Sequence, residues 1–171
     1  MKRRFDTRSL AITVLASSLL LGGCGLLQSV GLLPKPSAEV PLSEQSYQLV
    51  LELSAASDVN PDAGARPSPV RTLVFLTEPD VDVAAKPYES LFGVATADID
   101  PKPDATLVMQ PGGQNAIVLS GMKSQTRLSV AAAFREPYRT RWITSRIITP
   151  DDTMRASVAI NALYVEIGDI E

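Results

Sequence analysis

From Tyr47 onward, apolar and polar side chains alternate with the period of two that marks a strand with one buried face. Tyr47, Leu49, Leu51 and Leu53 alternate with Gln48, Glu52 and Ser54, interrupted only by Val50, and predict a first strand. Val70 to Thr77 is rich in β-branched residues and apolar on both faces, which predicts a central strand or one covered by another element. Ala84 to Ala97 lacks alternation; with Pro87 near its first turn, Gly93 limiting its end and Tyr88, Leu91 and Phe92 at i, i+3 and i+4, it predicts a short helix whose apolar face lies on the sheet. Ala105 to Gln110 and Asn115 to Ser120 flank Pro111-Gly112-Gly113, a hairpin signal. In Thr126 to Arg135, Leu128, Val130, Ala132 and Phe134 share one face, while the small Ala131 and Ala133 predict close cover on the other. Arg139 to Ile148 predicts a strand with outward arginines at 139 and 141 and a core Trp142. Met154 to Ile160 and Leu163 to Ile167 predict a closing hairpin across Asn161-Ala162. About eight short strands with turns between them, and one short helix, predict an all-β two-sheet sandwich.

Composition narrows the chemistry. The chain has 171 residues, 45% of them hydrophobic and 20% charged, the range of one globular domain with attached segments. Histidine is absent and cysteine occurs once, which excludes a disulfide framework, a Cys/His zinc site and every His-dependent catalytic triad.

The N-terminus departs from the strand pattern. Lys2, Arg3, Arg4 and Arg8 precede an uncharged apolar stretch from Leu10 to Leu21, and Leu21-Gly22-Gly23-Cys24 follows directly. This is a lipobox: small residues let an extended backbone enter a peptidase cleft, and the Cys24 thiol receives the diacylglycerol. Residues 10 to 33 carry no charge and are long enough to span a bilayer as an uncleaved anchor. Diluting glycines and serines, and a cysteine placed where the apolar stretch ends, favour cleavage and acylation instead. Residues 1–23 then form the signal peptide, 24–44 an acylated N-terminus and Pro-rich tether, and 45–171 the sandwich domain. At about 0.8 kcal/mol per buried CH₂, a multiply acylated anchor is long-lived. Gly25 follows Cys24 where an aspartate would retain the protein at the inner membrane, so the outer membrane is the expected destination. Removal of residues 1–23 deletes four basic residues and Asp6 and leaves twelve basic against eighteen acidic side chains, the wrong balance for a nucleic-acid partner.

Between the first two strands lies Ala55 to Ser68, fourteen residues, where the median connection is about 4–6. Asp58 and Asn60 are placed to make Asx-turns, Pro61 and Pro67 restrict φ, and Gly64 permits a positive φ. A loop stiffened from within loses less entropy on docking than a floppy one, which makes it a candidate binding element.

The stretch Leu51 to Asp62 (LELSAASDVNPD), followed by Arg66-Pro67-Ser68-Pro69-Val70, resembles the type VI secretion lipoproteins of the TssJ (SciN) family. The Pro111-Gly112-Gly113 turn, Leu128 to Arg135, Trp142 and the C-terminal hairpin follow in that family's order, so the resemblance spans about residues 45 to 167. It implies a transthyretin-like sandwich at the periplasmic face of the outer membrane. The implied partner is the periplasmic C-terminal part of the inner-membrane protein TssM, within a TssJ–TssL–TssM envelope complex, bound by the loop between the first two strands. Carried over residue by residue, Asp58, Val59, Asn60, Pro61, Asp62 and Arg66 are the expected partner-binding residues. The chain departs from the family on the second strand, with Leu73 and Phe75 in place of an arginine and a tyrosine.

The remaining polar clusters carry less. Asp98, Asp100 and Asp104, Asp80 with Asp82, and Asp151 with Asp152 lack the glycine-turned loop and terminal glutamate of a calcium site and read as solvated acidic loops. No carboxylate pair stands out for hydrolysis. The expectation is a non-enzyme without metal, small-molecule substrate or cofactor beyond the lipid on Cys24. A lipid-anchored glycan- or ligand-binding sandwich is the alternative; it needs a concave pocket with convergent polar groups.

Overall fold

The computed structural model describes residues 39–171. Cys24, the signal segment and the tether up to residue 38 lie outside the described residues. Two four-stranded sheets account for the alternation. The first has the order β4 (Gln114–Met122), β1 (Ser46–Ala55), β7 (Thr153–Ile160), β8 (Val165–Ile170). The second has the order β3 (Ala105–Met109), β2 (Val70–Thr77), β5 (Arg127–Ala132), β6 (Ile143–Ile147). All pairings are antiparallel except β1 with β7, which run parallel from Gln48 opposite Thr153 to Ala55 opposite Ile160.

The buried faces meet between the sheets. Tyr47, Leu49, Leu51 and Leu53 of β1, with Met154, Ala156, Val158 and Ile160 of β7, face Val70, Val74 and Leu76 of β2 and Leu128, Val130 and Ala132 of β5. Each fully buried leucine contributes roughly 1.5–3 kcal/mol. A second, smaller core explains why β2 is apolar on both faces. Residues 78–104 cross the outer side of the second sheet, where Val83, Leu91 and Ile99 cover Leu73, Phe75 and Ala131. The two departures from the family pattern, Leu73 and Phe75, thus sit in a dry layer.

The helix in this crossing, α1 (Tyr88–Phe92), is shorter than the predicted Ala84 to Ala97. Pro87 stands at its N-cap with an extended backbone and Gly93 at its C-cap, and one-turn 3-10 segments at Val83–Ala85 and Thr96–Asp98 take up the rest. Tyr88 reaches over to the β5–β6 connection, donating its hydroxyl to the Phe134 carbonyl at 3.0 Å and meeting Trp142 edge-on at 5.3 Å.

Four local expectations are corrected. Pro111-Gly112-Gly113 does not close a hairpin: β3 pairs with β2 and β4 pairs with β1, so the turn carries the chain from one sheet to the other. A turn signal fixes a reversal of direction but not which edges then pair. The strand expected from Arg139 begins at Ile143, because Pro137–Arg139 forms a 3-10 turn and Arg141 makes only an isolated bridge to Tyr164. Trp142, expected in the core, is partly buried and packs against both clusters. Leu163 is 49% exposed rather than part of the last strand, since the Asn161 N–H bonds the Tyr164 carbonyl at 2.8 Å and keeps both residues in the turn before β8.

Candidate docking site

The 56–69 connection emerges at the end of β1 and folds back as a braced loop. Its anchor is Val59, fully buried in the main core. Asn60 follows at 4% exposure with φ +50°, a region in which asparagine is tolerated. Its side chain and backbone together join three segments. The Nδ2 group donates to the Pro69 carbonyl at 3.0 Å, Oδ1 accepts the Arg135 N–H at 2.9 Å, and the Asn60 N–H donates to the Ala162 carbonyl at 3.1 Å. The loop, the end of β5 and the β7–β8 turn are therefore held on one residue. Ser68 completes the brace: its N–H reaches the Val59 carbonyl at 3.1 Å and its Oγ accepts from the Arg135 guanidinium at 3.0 Å.

Beyond Asn60, Asp62 clips the tip. Its Oδ1 accepts the N–H groups of Gly64 (2.8 Å) and Arg66 (3.0 Å), and its Oδ2 takes the Arg66 guanidinium twice, Nε at 2.8 Å and Nη2 at 2.7 Å. The Arg66 side-chain bond, helped by the two backbone N–H groups, holds the Asp62 carboxyl below its ordinary 3.8. Within the clip Ala65 adopts φ +58°, stored strain of roughly 1–2 kcal/mol held in place by the surrounding bonds.

Of the six residues expected to meet a partner, the structure divides the roles. Asp58 and Arg66 are exposed and Pro61 and Asp62 partly so, all on the loop's outer side. Val59 and Asn60 are buried, Val59 in the core and Asn60 across strand ends, where they fix the loop's shape; Asn60 also reaches the wall of the groove beside the loop. The Asx-turn belongs to Asp62 rather than to Asp58 or Asn60, and the positive φ falls on Asn60 and Ala65, not on Gly64. Gly64 serves differently, since a Cβ there would stand 3.3 Å from Asp62 Oδ1.

A groove of about 260 Å³ runs beside the loop, between Pro61 and Asp62 on one wall and Arg135, Arg139 and Leu163 on the other. Tyr138, 86% exposed, and Tyr164, stacked under the Arg141 guanidinium at 5.1 Å, lie on the same two connections. Sequence reasoning missed Ser68, Arg135 and these flanking residues. Their joining is non-local, with Arg135 lying 75 residues from Asn60. Among the described residues no group of three acidic, histidine or cysteine side chains is placed to hold a metal ion, and no helix is long and apolar enough to cross a membrane. Asp104, expected in a solvated acidic loop, has a structural partner, accepting the Leu76 N–H at 2.7 Å.

Fold and site together define a two-sheet β-sandwich module that presents one internally braced loop at one end. The model of the type VI secretion lipoprotein family (VasD, EvfM, TssJ, VC_A0113) matches residues 47–163, and the chain belongs to that family. Among solved structures it is similar to the type VI secretion lipoprotein TssJ1 from Pseudomonas aeruginosa, at 20% identity over 71% of this chain and 95% of that one, with a TM-score of 0.62. Serratia marcescens Lip, described as a membrane-bound component of the type VI secretion system, aligns at 18% identity over 71% and 97%, with a TM-score of 0.58. A chain of the structure described as the type VI secretion protein TssM C-terminal domain (869-1107) from EAEC aligns at 22% identity over 71% and 98%, with a TM-score of 0.55. No curated protein matches the chain.

Proposed function

We propose that this lipoprotein is acylated on Cys24, sits at the periplasmic face of the outer membrane, and docks the periplasmic C-terminal region of a TssM-type inner-membrane protein through its 56–69 loop. The observation that carries this reading is the division of labour within the loop. Val59 and Asn60 lock it to the core and to two other segments, while Asp58, Pro61, Asp62 and Arg66 remain on its outer side. A loop already held in one shape gives up little conformational entropy when grasped.

The polarity of β1 supports the same reading. The chain enters the domain at Ser46 and reaches the loop after Ala55. Ten residues at about 3.3 Å each put the two ends of this strand roughly 30 Å apart. The end at which the chain enters β1 is thus opposite the end that bears the loop. A structure described by the TssM C-terminal domain also contains a chain of this fold, which is in keeping with such a pairing.

The test keeps the brace and alters the outer face. Replacing Asp58 and Pro61 by serine and alanine, with Val59, Asn60 and the Asp62–Arg66 clip retained, should weaken binding of the purified periplasmic C-terminal region at least tenfold, about 1.4 kcal/mol. The melting temperature should stay near that of the parent. Undiminished affinity would remove the loop from the mechanism.

A further inference from the structure

A sandwich of two open sheets has four edge strands, and three of these edges are protected here. Unprotected edges are templates for pairing with another chain, so proteins shorten them, charge them, bend them or cover them. β3 spans five residues, directly preceded by Pro103 and Asp104. β6 is also five residues long, carries Arg146, and is tied to the neighbouring edge by the Arg146 bond to the Gly168 carbonyl. β8 carries Glu166 and Asp169 and pairs irregularly with β7 between Ala156 and Val158.

β4 differs in every respect. It runs nine residues, Gln114 to Met122, without a charged residue or a proline, and its pairing with β1 continues unbroken over nine positions. The phase of the ladder identifies which groups it leaves open. At one end the Lys123 N–H bonds the Gln45 carbonyl at 2.7 Å, and at the other the Ala55 N–H bonds the Gly113 carbonyl at 2.8 Å. Odd-numbered residues of β4 therefore pair with β1, and Gln114, Ala116, Val118 and Ser120 turn their N–H and C=O groups outward. Among the described residues nothing bonds those four outward N–H groups. Val118 is 60% exposed beside them.

The geometry points to β4 as a strand-addition site, at which an extended, uncharged segment of the docking partner pairs antiparallel with Gln114 to Ser120. This rests on the docking reading above and adds a second element to it. Continuity favours the partner as occupant. The turn leading into β4 is tied to the base of the loop, the Gly112 N–H bonding the Ala56 carbonyl at 3.1 Å, so a chain held at the loop meets the start of the β4 edge next. Charge agrees, because a neutral edge sets no like charges opposite an incoming neutral strand. A second copy fits poorly. Antiparallel pairing of β4 with itself would turn one copy end over end and send the two loops to opposite ends of the pair, where no single partner meets both.

Amide hydrogen exchange of the full mature chain, alone and with the purified periplasmic C-terminal region of TssM, tests the inference. Ala116, Val118 and Ser120 should become protected at least tenfold in the complex, while Ile117 and Leu119, already bonded to β1, serve as internal controls. Val118→Pro removes one outward donor at an edge position where proline is tolerated; it should weaken binding at least tenfold with the melting temperature retained. Should that variant fail to fold, exchange in the parent protein decides. A complex that forms while the even-numbered amides stay unprotected overturns strand addition and leaves loop docking standing. No complex with the parent protein overturns both. Protection that appears in the chain alone and grows with its concentration assigns the edge to a second copy and overturns the proposal.

Discussion

Tyr47 and Gly121 face each other across β1 and β4, and the fit between them leaves no room. Tyr47 is fully buried and donates its hydroxyl to the Gln125 carbonyl at 3.1 Å; burial first, and the Asp104 charge second, push its pKa to about 12. A Cβ built on Gly121 would stand 2.6 Å from the tyrosine ring. Gly121→Ala is therefore expected to force ring and backbone apart at a cost of about 1–3 kcal/mol, read as a lower midpoint in urea unfolding. In the double variant with Tyr47→Leu most of the added penalty should vanish; an equal penalty in both backgrounds would place the constraint elsewhere. At this scale the sequence was partly legible. The alternation gave Tyr47 its inward face, yet the need for a glycine at 121 was not readable, because nothing local reports a ring lying across the neighbouring strand. The burial of Val59 was illegible for a related reason. It stands among Asp58, Asn60 and Pro61, and its burial depends on contacts with strands far away in sequence.

At the scale of elements, local physics carried most of the outcome and pairing did not. β2 was readable to the residue because β-branched side chains filled both of its faces, and its double burial followed once residues 78–104 crossed its outer side. The hairpin read from Pro111-Gly112-Gly113 failed because β3 and β4 joined different sheets. The parallel pairing of β1 and β7 had no local signal, since about a hundred residues separate the two strands. The loop is the element whose behaviour can be tuned by pH. Asp62 has its pKa lowered from 3.8 in the folded loop, so the stabilisation from its clip is fully present above that ordinary value and is lost as pH falls through the lower folded one. As pH falls below that ordinary value, the protection factors of the Gly64 and Arg66 amides should therefore drop while those of β1 and β7 amides are retained. Asp62→Asn should show low protection at neutral pH already. Protection factors followed from about pH 6 to about pH 2, each normalised to the intrinsic exchange rate at that pH, measure this, and a clip equally protected throughout would separate loop order from the carboxylate.

At the scale of the whole molecule, Cys24 lies outside the sandwich that builds the loop, so anchoring and docking should be separable. Cys24→Ser removes the thiol proposed to carry the lipid without touching β1 or the loop that follows it. The variant is expected to keep its signal segment and to carry no lipid, which intact-mass measurement on the protein from membrane and soluble fractions would show. Its domain should bind the purified TssM region with an affinity within about twofold of the parent, because among the described residues the bonds made by Val59, Asn60, Asp62 and Arg66 stay within the domain. In cells the same variant should fail to assemble. Confinement to a thin layer at the membrane raises the effective concentration of loop and partner without any new contact, commonly by factors of about 10² to 10⁴, and loss of the anchor removes that gain while the intrinsic affinity stays. A Cys24→Ser protein with the mature mass of the parent would refute acylation at this residue. One that lacks lipid yet still assembles normally would show that the sandwich docks without help from the membrane.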